Sequence, residues 1–286
     1  MSHSPPLPAG PTPADIFETL NAHQQSAALR GAIELDLFTA ISQGHTTAQA
    51  LASHCQADVR AMRILCDYLT VYGYLTKSGN EYRLPPTVST FLVRTSPQYM
   101  GSIARFINSP DLLGAFNDVA TIVRTGSTQI SGQGTIESEY DGWVEFARSM
   151  VPIMMPAAEF MADLAEKHHQ GSTRILDIAA GHGMFGVSIA RRLPEATVTA
   201  LDWENVLAVA HENAKRHGVH ERYELLSGDA FEVDFGNDFD LVLLTNILHH
   251  FDQPTCVKLM SKVANALTSD GTAMTLEFIP NEDRVT

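Results

Sequence analysis

Residues 173–186 read TRILDIAAGHGMFG, and the order of residue types in them decides the fold. A short apolar run ends at an acidic residue, a stretch of glycine and alanine turns the chain, and a second apolar run opens a helix. Gly181, Gly183 and Gly186 stand in the G-x-G-x-x-G spacing of a dinucleotide pocket, where glycines let backbone N–H groups approach a ligand at a helix N-terminus. That cradle suits a pyrophosphate or a carboxylate, so the spacing alone does not choose. Asp177 is the discriminating residue. At the end of the first strand it is expected to turn its charge toward the bound group, repelling a pyrophosphate by roughly 1 to 4 kcal/mol at ~4 Å and attracting an ammonium or sulfonium by as much. The expected ligand carries both a cation and a carboxylate, and Gly186 is read as a helix-packing residue.

Moving outward, ATVTALD, YELLSGD, FDLVLLT and TAMTLEF repeat the short apolar run, with helical patterns such as NVLAVAHENAKRHG and PTCVKLMSKVANAL between them. This alternation predicts an α/β domain over residues 171–286, a Rossmann-like, mostly parallel sheet with five strands present. Ligands bind beyond the carboxyl ends of such strands. Those ends carry Asp177, Asp202, Asp229, the segment TNILHH and Glu277. Asp202 lies about 20 residues past the glycine loop, where a carboxylate accepts ribose hydroxyls. Asp229 is placed to accept from an adenine amino group, with Phe231 near the ring. Each aspartate alone also reads as a helix cap.

The rest of the chain supplies context. Residues 1–13 hold five prolines and are read as an extended tail. Residues 14–100 begin with one long or two short helices to about Ile41, then read as helix, turn, helix and a hairpin turning at Ser78, Gly79 and Asn80, a winged-helix pattern. DNA binding wants a clustered basic face. Here Arg60, Arg63, Lys77 and Arg83 are interspersed with Asp58, Asp67 and Glu81, so a packing or dimerisation module is the favoured reading. Residues 101–170 read as helical, interrupted by a Gly/Ser-rich loop at 126–142 and locally broken at Pro152 and Pro156. Met150, Met154 and Met155 crowd one region of them.

With a net charge of −14 over 286 residues, nucleic acid is an unfavoured partner. Three scattered cysteines make no disulfide framework and fit a reducing cytoplasm. No run approaches the ~20 apolar residues that span a bilayer, so no membrane partner is expected.

DIAAGHG resembles the D/E-x-G-x-G-x-G first motif of class I methyltransferases, with Ala179 in place of the first glycine. Together with LDWENV, GDAF, NILHHF and the N-terminal winged helix, the chain is similar to small-molecule O-methyltransferases of the caffeate and polyketide-tailoring type. The resemblance implies S-adenosylmethionine as cofactor, an aromatic small-molecule acceptor and a homodimer formed through the N-terminal domain. It implies cofactor contacts at Asp177, Gly181, Gly183, Asp202, Trp203, Asp229, Ala230, Phe231 and Thr245, the last in place of a lysine in plant relatives. It also implies acceptor contacts at Phe146, Met150, Met154 and Asn246. His249 falls on the general base and Glu277 on the acid that orients it. An imidazole pKa near ~6.5 suits removal of a hydroxyl proton. Only one of His249 and His250 is expected to face the acceptor, and no metal site is expected.

Relatives continue past the fifth strand with a helix and a hairpin, whereas this chain stops at Thr286. The last strand is therefore expected to be an edge, and part of the acceptor pocket to be missing. Three alternatives to a working O-methyltransferase stay open at this point: a cofactor-binding protein with little activity, an NAD-dependent oxidoreductase, and a non-catalytic interaction or transcription-associated protein using the winged helix.

Overall fold

Thr12 opens the first helix: its side chain accepts from the Asp15 amide while the Asp15 carboxylate accepts from the Thr12 amide, and Pro13 occupies the first helical position. The structure, a computed structural model, describes residues 10–126 and 141–283. The chain divides into two compact units, Met1–Ala104 and Arg105–Thr286.

In the first unit, α1 (Pro13–Glu34) and α2 (Leu37–Ser42) are separated at Asp36, whose φ of 53° breaks the helix. Then come α3 (Ala48–His54), α4 (Val59–Val71), the antiparallel pair β1 (Thr76–Ser78) and β2 (Glu81–Arg83), and α5 (Pro86–Leu92). Thr47 and Asp58 cap α3 and α4 with their side-chain oxygens. Leu37, Phe38, Leu51, Met62, Leu69, Leu75 and Tyr82 form the core. Three of the four basic residues of helix and wing, Arg63, Lys77 and Arg83, are held in ion pairs. Asp67 pairs with Arg63 at 3.0 Å and Lys77 at 2.5 Å and accepts from the Tyr82 hydroxyl, while Arg83 pairs with Glu81. Such pairing removes the unscreened positive face that phosphate binding needs.

The second unit holds the short helices α6 (Ile103–Ile107, beginning just before the division), α7 (Pro110–Ala115) and α8 (Val119–Thr125), then the long α9 (Asp141–His168). Most of the expected Gly/Ser-rich loop lies outside the described residues. The expected break at Pro152 and Pro156 is not there: α9 runs through both. Each proline removes one i→i−4 bond. Packing along the helix offsets that loss, with Ala147, Met154, Ala158, Met161, Ala162 and Ala165 all buried. α9 belongs to this unit, packing on α10 (Met184–Arg192) and α11 (Glu204–Arg216).

All five expected strands are present: β3 (Arg174–Ile178), β4 (Thr197–Asp202), β5 (Tyr223–Ser227), β6 (Phe239–Thr245) and β7 (Leu267–Leu276), with α12 (Gln253–Ala266) before the last. Every pairing is parallel, in the order β5-β4-β3-β6-β7. Alternate residues feed two cores. Ile175, Leu241 and Leu243 join the α9, α10 and α11 side, whereas Leu176, Ile178, Val242 and Leu244 join the side that includes Leu259 and Val263 of α12. The chain winds outward from β3 to β5 and then restarts on the other flank with β6, leaving a crevice where the order reverses.

Candidate functional site

Four loops meet at that crevice around a cavity of about 470 Å³, within the usual range for a small-molecule site. Residues 179–182 leave β3, Asp202 and Trp203 leave β4, Gly228 to Phe231 leave β5, and Thr245, Asn246 and Ile247 leave β6; all line it. α9 closes the space with Trp143, Phe146 and Met154, and His250 and Phe251 come from the turn before α12.

Asp202 sits where a ribose contact was expected. Its two oxygens accept from the amides of Gly181 at 2.8 Å and Trp203 at 2.7 Å. Burial raises its pKa to about 6, with both amides working against the shift. Asp229 accepts from the Phe231 amide at 2.8 Å, and the Phe231 ring meets Phe251 edge-on at 4.9 Å. Asn246 holds φ at 54°, donates to the Met154 sulfur at 3.6 Å, and buries an Oδ1 that has no partner among the described residues.

Asp177 is a correction. It does not line the cavity: its side chain is fully buried and Oδ2 accepts from the Gly186 amide at 3.1 Å. The pleat explains this, because Asp177 shares the parity of Ile175 and so points under α10. Burial raises its pKa to about 7, partly countered by the Gly186 N–H and reinforced by the charge of Asp202. The charge of Asp177 therefore does not discriminate between a pyrophosphate and a sulfonium at the cavity. The amides of Ala180, Gly181, Gly183, Met184 and Gly186 all donate within the protein, to the Leu201 carbonyl, Asp202, the Ala180 carbonyl, His182 Nδ1 and Asp177 in turn. A pyrophosphate or a carboxylate cradled there would need those donors alike.

Gly183 and Gly186 are held by space as well as by their donors. Gly183 has φ of 72° and a Cβ there would lie 2.6 Å from the Tyr223 hydroxyl, while a Cβ on Gly186 would meet Val198 Cγ1 at 2.9 Å. Ala179 takes the same left-handed region at φ 54°, a strain of roughly 1 kcal/mol for a residue with a Cβ.

Met150 is the second correction. It packs against the core shared by α9 and α10 and does not line the cavity, since an unbranched apolar side chain beside a packed core fills that core. Of the expected acceptor contacts, Phe146, Met154 and Asn246 do line it.

The histidine pair divides in an unexpected way. Glu277, 8% exposed, accepts from the Leu248 amide through Oε1 and meets His249 Nδ1 through Oε2, both at 2.7 Å. That contact leaves the proton on Nδ1 and the lone pair on Nε2. His249 is 48% exposed and outside the lining, whereas His250 lines the cavity, edge-on to Trp143 at 5.5 Å. Burial lowers the His250 pKa, as does His249.

Sequence reading missed Trp143, Phe251 and His182. His182 lines the cavity, and burial lowers its pKa to about 4, so it is neutral. Its place inside GHG was the available signal. Among the described residues no cluster of three or more His, Cys, Asp or Glu is set to hold a metal ion, and no helix is long and apolar enough to cross a membrane.

Two family descriptions match: a methyltransferase domain over residues 175–271 and an O-methyltransferase dimerisation domain over residues 17–94. A crystal structure assigned to an O-methyltransferase of Nostoc punctiforme PCC 73102 is 46% identical, with a TM-score of 0.92, covering 97% of this chain and 83% of that one. The 3-hydroxy-5-methyl-1-naphthoate 3-O-methyltransferase of Streptomyces sahachiroi is 26% identical over 99% of this chain and 81% of its own. PigF, solved with SAH, shares the fold at 23% identity and a TM-score of 0.84, over 96% of this chain and 84% of that one.

Proposed function

The chain belongs to the class I S-adenosylmethionine-dependent O-methyltransferases, and from that premise we propose that it methylates a hydroxyl of an aromatic secondary metabolite, with His249 as general base and a homodimer formed through residues 17–94. The carrying observation is one cavity that joins Asp202, Asp229 and the glycine loop to the aromatic wall of Trp143, Phe146 and Phe251.

The residues present fit the cofactor. Asp202 spends one lone pair of each oxygen on an amide and keeps the other for a ribose hydroxyl. Asp229 uses only Oδ1 on Phe231, leaving Oδ2 for an exocyclic amine. The buried Asn246 Oδ1 is an acceptor in want of a donor. Bound there, S-adenosylmethionine supplies an electrophilic methyl on a sulfonium.

The protein's own part is orientation and proton removal. The aromatic wall holds a flat ring by edge and face contacts. His249 Nε2 would take the proton of the acceptor hydroxyl, leaving that oxygen a nucleophile for the methyl group that a bound cofactor would supply. Glu277 fixes the ring and stabilises the imidazolium that results. Because His250 lines the cavity and His249 does not, His250 is the second candidate for the base. The free thiols Cys55, Cys66 and Cys256 accord with a cytoplasmic setting.

The test is mass spectrometry of a phenol panel incubated with methyl-labelled S-adenosylmethionine, repeated with H249A and H250F. Wild type and H250F transfer label, and H249A loses about 100-fold or more in kcat. Retention of activity in H249A with its loss in H250F moves the base to His250. No label on any phenol, with S-adenosylhomocysteine still binding, sinks the acceptor class.

A further inference from the structure

The loop that leaves β5 is gripped from outside the cavity by one cation. Lys262, on α12, donates to the Ala230 carbonyl at 3.0 Å and to the Val233 carbonyl, and its ammonium lies 4.1 Å from the centroid of the buried Phe235 ring. Carbonyls and an aromatic face together make a site for a cation.

The Ala230 carbonyl and the Phe231 amide are the two ends of a single peptide plane. That plane is trans, so the two groups point in opposite directions and any tilt moves both. On the far side, the Phe231 N–H donates to Asp229 Oδ1 at 2.8 Å. A continuous chain of contacts thus runs from the ammonium through the peptide to the carboxylate.

We propose that Lys262 is a positioning residue for the adenine end of the site, setting the Asp229 carboxylate through the 230–231 peptide without touching the ligand. The inference rests on the cofactor reading above. With Lys262 shortened or neutralised, the two carbonyls turn to water and the peptide is freed to rotate. Asp229 then loses the direction in which its second oxygen accepts.

The experiment is calorimetric titration of the full chain with S-adenosylhomocysteine and with its inosine counterpart, in which a ring carbonyl replaces the amino group that Asp229 would accept from. K262M is expected to bind S-adenosylhomocysteine about tenfold more weakly than wild type and to show a narrowed preference over the inosine ligand. K262R, which keeps charge and donors, recovers most of both. K262Q is run in parallel, so that the comparison stands if the methionine variant does not accumulate as folded protein. Unchanged affinity in the neutral variants overturns the inference, as does weakening of both ligands by one factor, which a general loss of stability would produce. Failure of wild type to bind either ligand defeats the cofactor reading itself, and this inference with it.

Discussion

A carboxyl group with no route to water is an expensive thing to place beneath a glycine loop, and Asp177 is such a group. Its raised pKa, about 7 against an unfolded value of 3.8, means that the folded state holds its proton more tightly than the unfolded state does. The resulting stability is fully present below about pH 4, declines as pH rises toward 7, and is flat beyond. Asp177→Asn keeps an acceptor for the Gly186 amide and cannot ionise. Urea unfolding at pH 5 and pH 8 should show the variant gaining on wild type by on the order of 2 kcal/mol across that window. A difference that does not change with pH would remove Asp177 as the titrating group. The residue also marks a limit of reading from spacing. That an acid stood at the end of a strand was legible; which way it pointed depended on the pleat, and the parity with Ile175 that fixes it was in the sequence all along.

Elements positioned the rest of the site more transparently. Five apolar runs and the helices between them were sufficient to place Asp202, Asp229, Thr245 and Asn246 around one crevice, because strand ends are where a parallel sheet exposes its loops. Trp143 and Phe251 were not legible. Their arrival at the cavity depends on how α9 crosses the sheet and where the turn before α12 ends, contacts that no local pattern encodes. Met150 failed for the same reason. The glycine loop leaves little room for change. Gly183→Ala would put a Cβ at positive φ against the Tyr223 hydroxyl and Ala210, at about 2 kcal/mol or more. Its Tm should fall by several degrees and its affinity for S-adenosylhomocysteine should drop together with it. A variant that melts and binds as wild type does would show that the loop has room that the packing denies.

At the scale of the whole molecule, the two units have separate hydrophobic cores, and every residue lining the cavity belongs to the second. A ligand stabilises only what binds it, by about 2.7 kcal/mol at 100 times its dissociation constant. Differential scanning calorimetry should therefore resolve two transitions, of which S-adenosylhomocysteine raises one. Equal movement of both would show that the units unfold as a single cooperative body. The N-terminal reading was the more coarsely legible of the two: the opening helices, the helix-turn-helix and the hairpin turn were visible, and the sharing of Asp67 among Arg63, Lys77 and Tyr82 was not.

α9 gives the second unit a division of labour along one rod. Its first turns present Trp143 and Phe146 to the cavity, and its last turns bury Ala158, Met161, Ala162 and Ala165 in the main core. Substitutions at the first end change the shape of the cavity while the second end keeps the helix anchored, and Asp202 and Asp229 line the same cavity from elsewhere in the chain. On the assignment proposed above, acceptor preference is thus open to drift under selection while cofactor use stays fixed. An engineer seeking new acceptors has the same handle: a small library confined to positions 143 and 146.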